Sequence, residues 1–133
     1  LCRDPGEILI AARPRLLPVL EELRAERGRL AFHAPCSLQH GLRIRGIAEE
    51  LLAACGYVLT PVADAHLCCG SAGTYSILQP QLSKRLRDAK LAALNAAGPA
   101  VIATANIGCL SHLQAGSALP VRHWIELIDE VLQ

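Results

Sequence analysis

Four short apolar runs alternate with longer stretches of helical periodicity, and this alternation restricts the fold more than any other feature of the chain. The runs are Arg29–His33, Tyr57–Val62, Ala100–Thr104 and Pro120–His123. After the first, apolar residues fall at 44, 47, 48, 51, 52 and 55, the stripe of an amphipathic helix, and Gly56 is placed to close its last turn. After the second, a helix starts near Tyr75 or at Pro80, with Leu82, Leu86, Ala89 and Ala93 as its expected buried face, and stops at Gly98-Pro99. Asn106 is the expected N-cap of the next helix, and Trp124, Leu127, Ile128, Val131 and Leu132 stripe the last. The third run shows no polar alternation, as in a strand covered on both faces. Strands alternating with helices predict right-handed βαβ units: an α/β fold, Rossmann-like and three-layered, with a parallel sheet of about four strands and helices on both faces. Residues 1–28 are expected to form an N-terminal helical segment, in which Pro14 and Pro18 each mark a possible helix start. Residues 29–133 are expected to form a single compact domain.

Composition narrows the function classes. The chain has 133 residues, 52% of them apolar, and 13 basic against 12 acidic side chains. A chain this long buries roughly 65 to 70% of its unfolded surface, so one core can hold it without disulfide staples. With a net charge of +1 and four aromatics (Phe32, Tyr57, Tyr75 and Trp124), it has neither the phosphate-neutralising patch nor the stacking platform of a nucleic-acid binder. Residues 91–121 contain no Asp, Glu, Lys or Arg, but Gly98-Pro99, Asn106, Gly108, Gly116 and Pro120 interrupt them, so no transmembrane segment is expected. That stretch reads as buried interior or as a surface covered by a partner. No charged segment followed by an apolar stretch and a cleavage site marks the chain for secretion, and the six cysteines sit in a chain too long and too rich in Ala and Leu for a secreted disulfide scaffold, so a reducing, cytoplasmic compartment is expected. The chain opens on Leu1-Cys2-Arg3-Asp4 and contains no methionine, as expected of a piece of a longer protein.

Cysteine follows three of the four runs: Cys36 after the first, Cys68-Cys69 after the second, Cys109 after the third. In an open parallel sheet the loops at the carboxyl ends of the strands share one edge, where such folds place their sites, so four thiols are expected to converge there. Four thiolates suit an iron-sulfur cluster or zinc. The local CxxC pairs of zinc fingers are absent. Adjacent cysteines in extended chain point apart, so Cys68 and Cys69 reach two corners of a cluster more easily than one small ion. Gly70 and Gly73 permit positive φ around a cofactor. Their amides, and those opening the helix led by Asn106, are expected donors to sulfur. Without a lysine, Gly70–Thr74 is a poor phosphate loop.

The segments His33-Ala34-Pro35-Cys36, Leu67–Tyr75 with its Cys68-Cys69-Gly70 core, Asn106–Leu113 and Pro120–Trp124 together resemble the cysteine-rich CCG domain. The form they are most similar to is the second such domain of bacterial glycolate oxidase iron-sulfur subunits, and the likeness runs from about Arg29 onward. The wider family includes heterodisulfide reductase catalytic subunits and lactate-utilisation proteins, whose CCG motifs bind iron-sulfur clusters or, in some members, zinc. The resemblance implies Cys36, Cys68, Cys69 and Cys109 as ligands. His112 stands where the family motif has a fifth cysteine, so an ordinary four-ligand cluster (4Fe-4S), a zinc ion or a degenerate site replaces an unusual five-thiolate one. His112, His33 and Gly70 are then candidate ligands or supporting residues. The resemblance further implies an electron-transfer role in a 2-hydroxy-acid dehydrogenase complex. Its partners would be FAD-containing glycolate oxidase subunits and the N-terminal ferredoxin-like part of the same subunit, placing it in the cytoplasm or peripherally at the inner membrane. The isolated domain is expected to be inactive by itself, and its cluster can be lost on isolation.

Two readings compete. One is a structural or docking module, with zinc or no metal, using the uncharged stretch from Leu91 to Val121. The other is a Cys-His nucleophile or thiol-redox enzyme, in which a thiolate beside His33 or His112 attacks a carbonyl or disulfide. Cys55 lies on an apolar stripe and reads as a buried thiol, Cys2 as a free terminal one. His66 and His40 are weaker site candidates, and His123 is expected to serve packing or a helix start.

Overall fold

The computed structural model describes residues 2–133 as an α/β fold. In chain order its elements are α1 (Pro5–Glu22), β1 (Arg29–His33), a single π turn (Ser37–Gly41), α2 (Ile47–Ala54), β2 (Val58–Leu59), α3 (Tyr75–Leu78), α4 (Pro80–Asn95), β3 (Val101–Thr104), α5 (Ile107–Gln114), β4 (Val121–His123) and α6 (Trp124–Leu132). The four strands form one parallel sheet in the order β2-β1-β3-β4. Its register places His33 opposite Thr104 and Thr104 opposite His123. The chain therefore steps from β1 to one side and then returns past β1 to the other. This reversal sends the crossover helices to opposite faces for a constant connection hand.

The two faces carry separate cores. Leu30, Phe32 and Ala103 pack with Leu20 of α1, with Leu51, Leu52 and Cys55 from α2 and its end, and with Trp124, Leu127, Ile128 and Val131 of α6. Ala31, Ile102 and Val121 project to the other face, against Leu91 and Leu94 of α4 and Cys109 and Leu113 of α5. Helices on both faces are thus observed. Much of the uncharged stretch is interior: Leu94, Ile102, Ala103, Thr104 and Leu113 are fully buried. Among the described residues, no helix is long and apolar enough to cross a membrane.

Several expectations are corrected. Pro14 and Pro18 start no helix; both lie inside α1, which begins at Pro5 behind Asp4. The Asp4 carboxylate accepts from the Gly6 amide at 2.7 Å, and the Glu7 carboxylate accepts from the Asp4 amide at 2.8 Å, a reciprocal capping box. Both prolines are exposed on the outer side of the helix. The helix expected from Ile44 begins at Ile47, because the Ile44 amide donates to the Leu38 carbonyl in the turn that precedes it. Ile44 is nevertheless buried. The second run pairs only at Val58–Leu59, an edge strand ended by Thr60-Pro61, since proline has no amide for the ladder. Leu132 is exposed on α6.

The largest departure is in α4. Its buried residues are Ser83, Lys90, Leu91 and Leu94, whereas Leu82 and Ala89 are exposed and Leu86 and Ala93 half-buried. The helix is rotated so that two polar side chains face inward. Both contact the cysteine-bearing loop.

Candidate metal centre

A cavity of about 220 Å³ opens at the carboxyl edge of the sheet, lined by Cys36, Cys68, Cys69 and Cys109 together with His33, Ser71 and Asn106. It lies where β1 and β3 run side by side while their connections leave in opposite directions, the crevice that an open parallel sheet offers a ligand. Each wall comes from a different connection. β1 ends in His33 and leads through buried Pro35 to Cys36. The loop after β2 supplies Cys68-Cys69, and α5 supplies Cys109 from its first turn.

The four thiols divide into two pairs. Cys69 and Cys109 are buried, with their sulfurs close together. One ligand atom each from His33, Cys69 and Cys109 lies within 4.8 Å of the other two. Cys68 is half-buried and forms the second pair with the exposed Cys36. The Cys109 thiol, with His33 and Ser71, lowers the pKa of Cys69 to about 3. Cys109 is pushed up as the proton donor to Cys69, and by burial. Partial desolvation and the adjoining Cys68 push the Cys36 thiol up.

Ser71 sits between the inner sulfurs, its Oγ 3.1 Å from Cys69 Sγ and 3.6 Å from Cys109 Sγ. The Gly70 amide donates to Cys68 Sγ at 3.3 Å, as its expected role as a donor to sulfur requires. The amides of Gly108 and Cys109 do not play that part; the Asn106 side chain takes both, at 2.9 and 3.2 Å. Gly70 itself has φ +92°, and a Cβ there would stand 2.4 Å from the Ser83 carbonyl oxygen. The loop can lie on α4 only because that Cβ is missing.

His112 shares α5 with Cys109 but does not line the cavity. Its Nε2 lies 3.2 Å from Ser83 Oγ and 3.3 Å from the Ser83 carbonyl oxygen, and Ser83 Oγ donates to the Gly70 carbonyl at 2.6 Å. His112 thus braces the cysteine loop through Ser83. His66 and His40 are exposed and outside the cavity wall, and His123 Nδ1 accepts from the Ile125 amide to cap α6. Cys55 is buried in the opposite core and Cys2 is exposed.

The reading of residue patterns missed Ser71, Ser83, Gln39 and Lys90. Gln39 Nε2 donates to the carbonyls of Ala34 and Ala65, tying the loop after β1 to the loop after β2. The available signal for Ser83 and Lys90 was their spacing: they fall one helical repeat apart, in step with Leu91 and Leu94. Thr104 is fully buried at the end of β3, and its hydroxyl has no partner among the described residues. Such a group is costly, and it lies across the register from His33.

The donor set fits a thiolate-bound centre. Four sulfurs open on one cavity, and N–H and O–H donors already face the sulfurs. The cavity is several times the volume of one water, ~30 Å³, and exceeds what a bare ion fills.

Comparison with known proteins agrees with this geometry. The cysteine-rich CCG domain family matches residues 30–114. The chain is 50% identical over 116 residues to the glycolate oxidase iron-sulfur subunit of Escherichia coli (strain K12), a match covering 86% of this chain and 28% of that protein. It is 30% identical over 105 residues to lactate utilization protein A of Exiguobacterium sp., covering 74% and 43%. The probable glycolate oxidase iron-sulfur subunit of Bacillus subtilis is 33% identical over 107 residues, covering 74% and 24%. The matches thus span less than half the length of each of these relatives.

Proposed function

The chain belongs to the cysteine-rich CCG domain family, and from that premise we propose that it binds an iron-sulfur cluster and relays electrons within a 2-hydroxy-acid dehydrogenase of the glycolate oxidase type. The observation that carries this reading is the convergence of Cys36, Cys68, Cys69 and Cys109 on one cavity from three separate connections. Four thiolates are the usual complement of a 4Fe-4S cluster. Homology to proteins named as iron-sulfur subunits supports the same assignment.

A bound cluster supplies a one-electron redox centre. The chain's own groups then have distinct tasks. The buried Cys69 and Cys109 would hold the group on its inner side. The half-buried Cys68 and the exposed Cys36 would hold it on the side nearest solvent. The Gly70 amide and the Ser71 hydroxyl donate to sulfur and spread its negative charge, which favours the reduced state. Flavin-bearing subunits that oxidise glycolate, and a ferredoxin-like segment of the same subunit, are the proposed partners, in keeping with the likeness to proteins named as glycolate oxidase iron-sulfur subunits. Residues 29–133 form the cluster-binding domain in this proposal, with 1–28 as an N-terminal helical segment, and the complex works on the cytoplasmic side, peripheral to the inner membrane.

A zinc site has one observation in its favour, the compact buried trio of His33, Cys69 and Cys109. Metal and acid-labile sulfide analysis of the chain purified without oxygen separates the readings. Iron and sulfide in near-equal amounts, with broad visible absorption that bleaches on reduction, is the expected result. Stoichiometric zinc without sulfide, or no metal after anaerobic reconstitution with iron and sulfide, overturns it.

A further inference from the structure

Lys90 has only 3% of its surface exposed, and it lies on the inward face of α4. An ammonium removed from water is costly unless opposite charge or several hydrogen bonds replace the lost hydration. Its Nζ donates to the Asp64 carbonyl at 2.8 Å, and among the described residues no carboxylate forms an ion pair with it. Two of its three protons have no acceptor in view. A second cavity, of about 100 Å³, is walled by Lys90, Asp64, Leu67 and Cys68, and Cys68 also lines the cysteine cavity. The ammonium therefore stands behind the Cys68-Cys69 loop. Burial lowers its pKa, and the charges that oppose this are those of Cys69, Asp64, Cys36 and Cys68. Three of these four are the proposed ligands.

We propose that Lys90 is the fixed counter-charge of the cysteine site, its ammonium offsetting the negative charge that the thiolates acquire on binding a metal centre and so favouring the reduced state of that centre. The inference rests on the thiolate-centre reading above and assigns it a residue that supplies no ligand. Converting the thiols to four bound thiolates releases the protons they still carry and leaves the site more negative; adding one electron makes it more negative again. A cation in low-dielectric surroundings favours both changes. Lys90 is a positioning residue in this sense, acting through the field at the sulfurs.

The test uses the 133-residue chain as wild type, Lys90→Met, Lys90→Gln and Lys90→Arg. Lys90→Gln keeps a donor for the Asp64 carbonyl while removing the charge, so it remains informative if Lys90→Met fails to fold. In chains reconstituted with iron and sulfide, the reduction potential is read by dye-mediated titration. The expected result is a more negative potential in the Met and Gln variants and a return toward wild type in the Arg variant. In apo chains, Co²⁺ alone is titrated and its thiolate charge-transfer band followed; loss of the cation is expected to weaken binding about tenfold, and Arg to restore it. Unchanged potential and unchanged Co²⁺ affinity in the folded Gln variant overturn the proposal, as does wild-type chain that binds no Co²⁺. If the wild type binds Co²⁺ but takes up no iron and sulfide, the iron-sulfur reading fails alone, and the Co²⁺ series still decides the role of Lys90.

Discussion

Gly70 shows how one residue limits the whole site. Its φ of +92° and the 2.4 Å approach that a Cβ would make to the Ser83 carbonyl leave no room for another amino acid. Gly70→Ala is expected to cost about 2–3 kcal/mol in denaturant unfolding and to lower metal uptake, because the loop must lift from α4 to relieve the contact. An unchanged unfolding midpoint would show that the loop adapts freely. The two cysteines that precede it illustrate what spacing cannot reveal. That Cys69 lies with Cys109 and His33, and Cys68 with Cys36, depends on which connections the sheet brings together. His112 was legible as a residue one turn from Cys109, yet its direction was not. Ser83, from a helix distant in sequence, draws it away from the cavity.

Among the elements, α1 and α4 departed furthest from expectation, for opposite reasons. In α1 local rules were overridden by the cap and by tertiary contacts: two interior prolines are tolerated because Asp4 and Glu7 hold the first turn and Leu20 is buried in the core. Arg13 also donates to the carboxylate of Glu50 on α2. Asp4→Ala removes one side of the capping box and is expected to cost about 1 kcal/mol in thermal unfolding, with loss of helical ellipticity near the N-terminus. No loss would mean that packing alone holds α1. In α4 the apolar stripe was read one position off, because Ser83 and Lys90 turn inward to bond the carbonyls of Gly70 and Asp64. Pattern reading assumes that polar side chains seek water, and it fails where a site recruits them.

At the scale of the molecule, the candidate ligands come from three separate connections of the sheet. A group bound by all four thiols cross-links those connections in the native state alone, so loading is expected to raise the thermal midpoint, by about 2.7 kcal/mol of stability at a hundredfold excess over Kd, and chelation to reverse it. Equal midpoints for loaded and stripped chain would deny that the four thiols share one group. The α/β class, the parallel strands, the edge at which the cysteines gather and Asn106 as a cap were all legible in the sequence, because periodicity and turn chemistry are local properties carried by each segment. The strand order β2-β1-β3-β4, the division of the thiols into an inner and an outer pair, the inward face of α4 and the placement of Lys90 behind the cysteine loop were decided by the tertiary structure. Each depends on contacts between residues distant in the chain, whose energies no local pattern records.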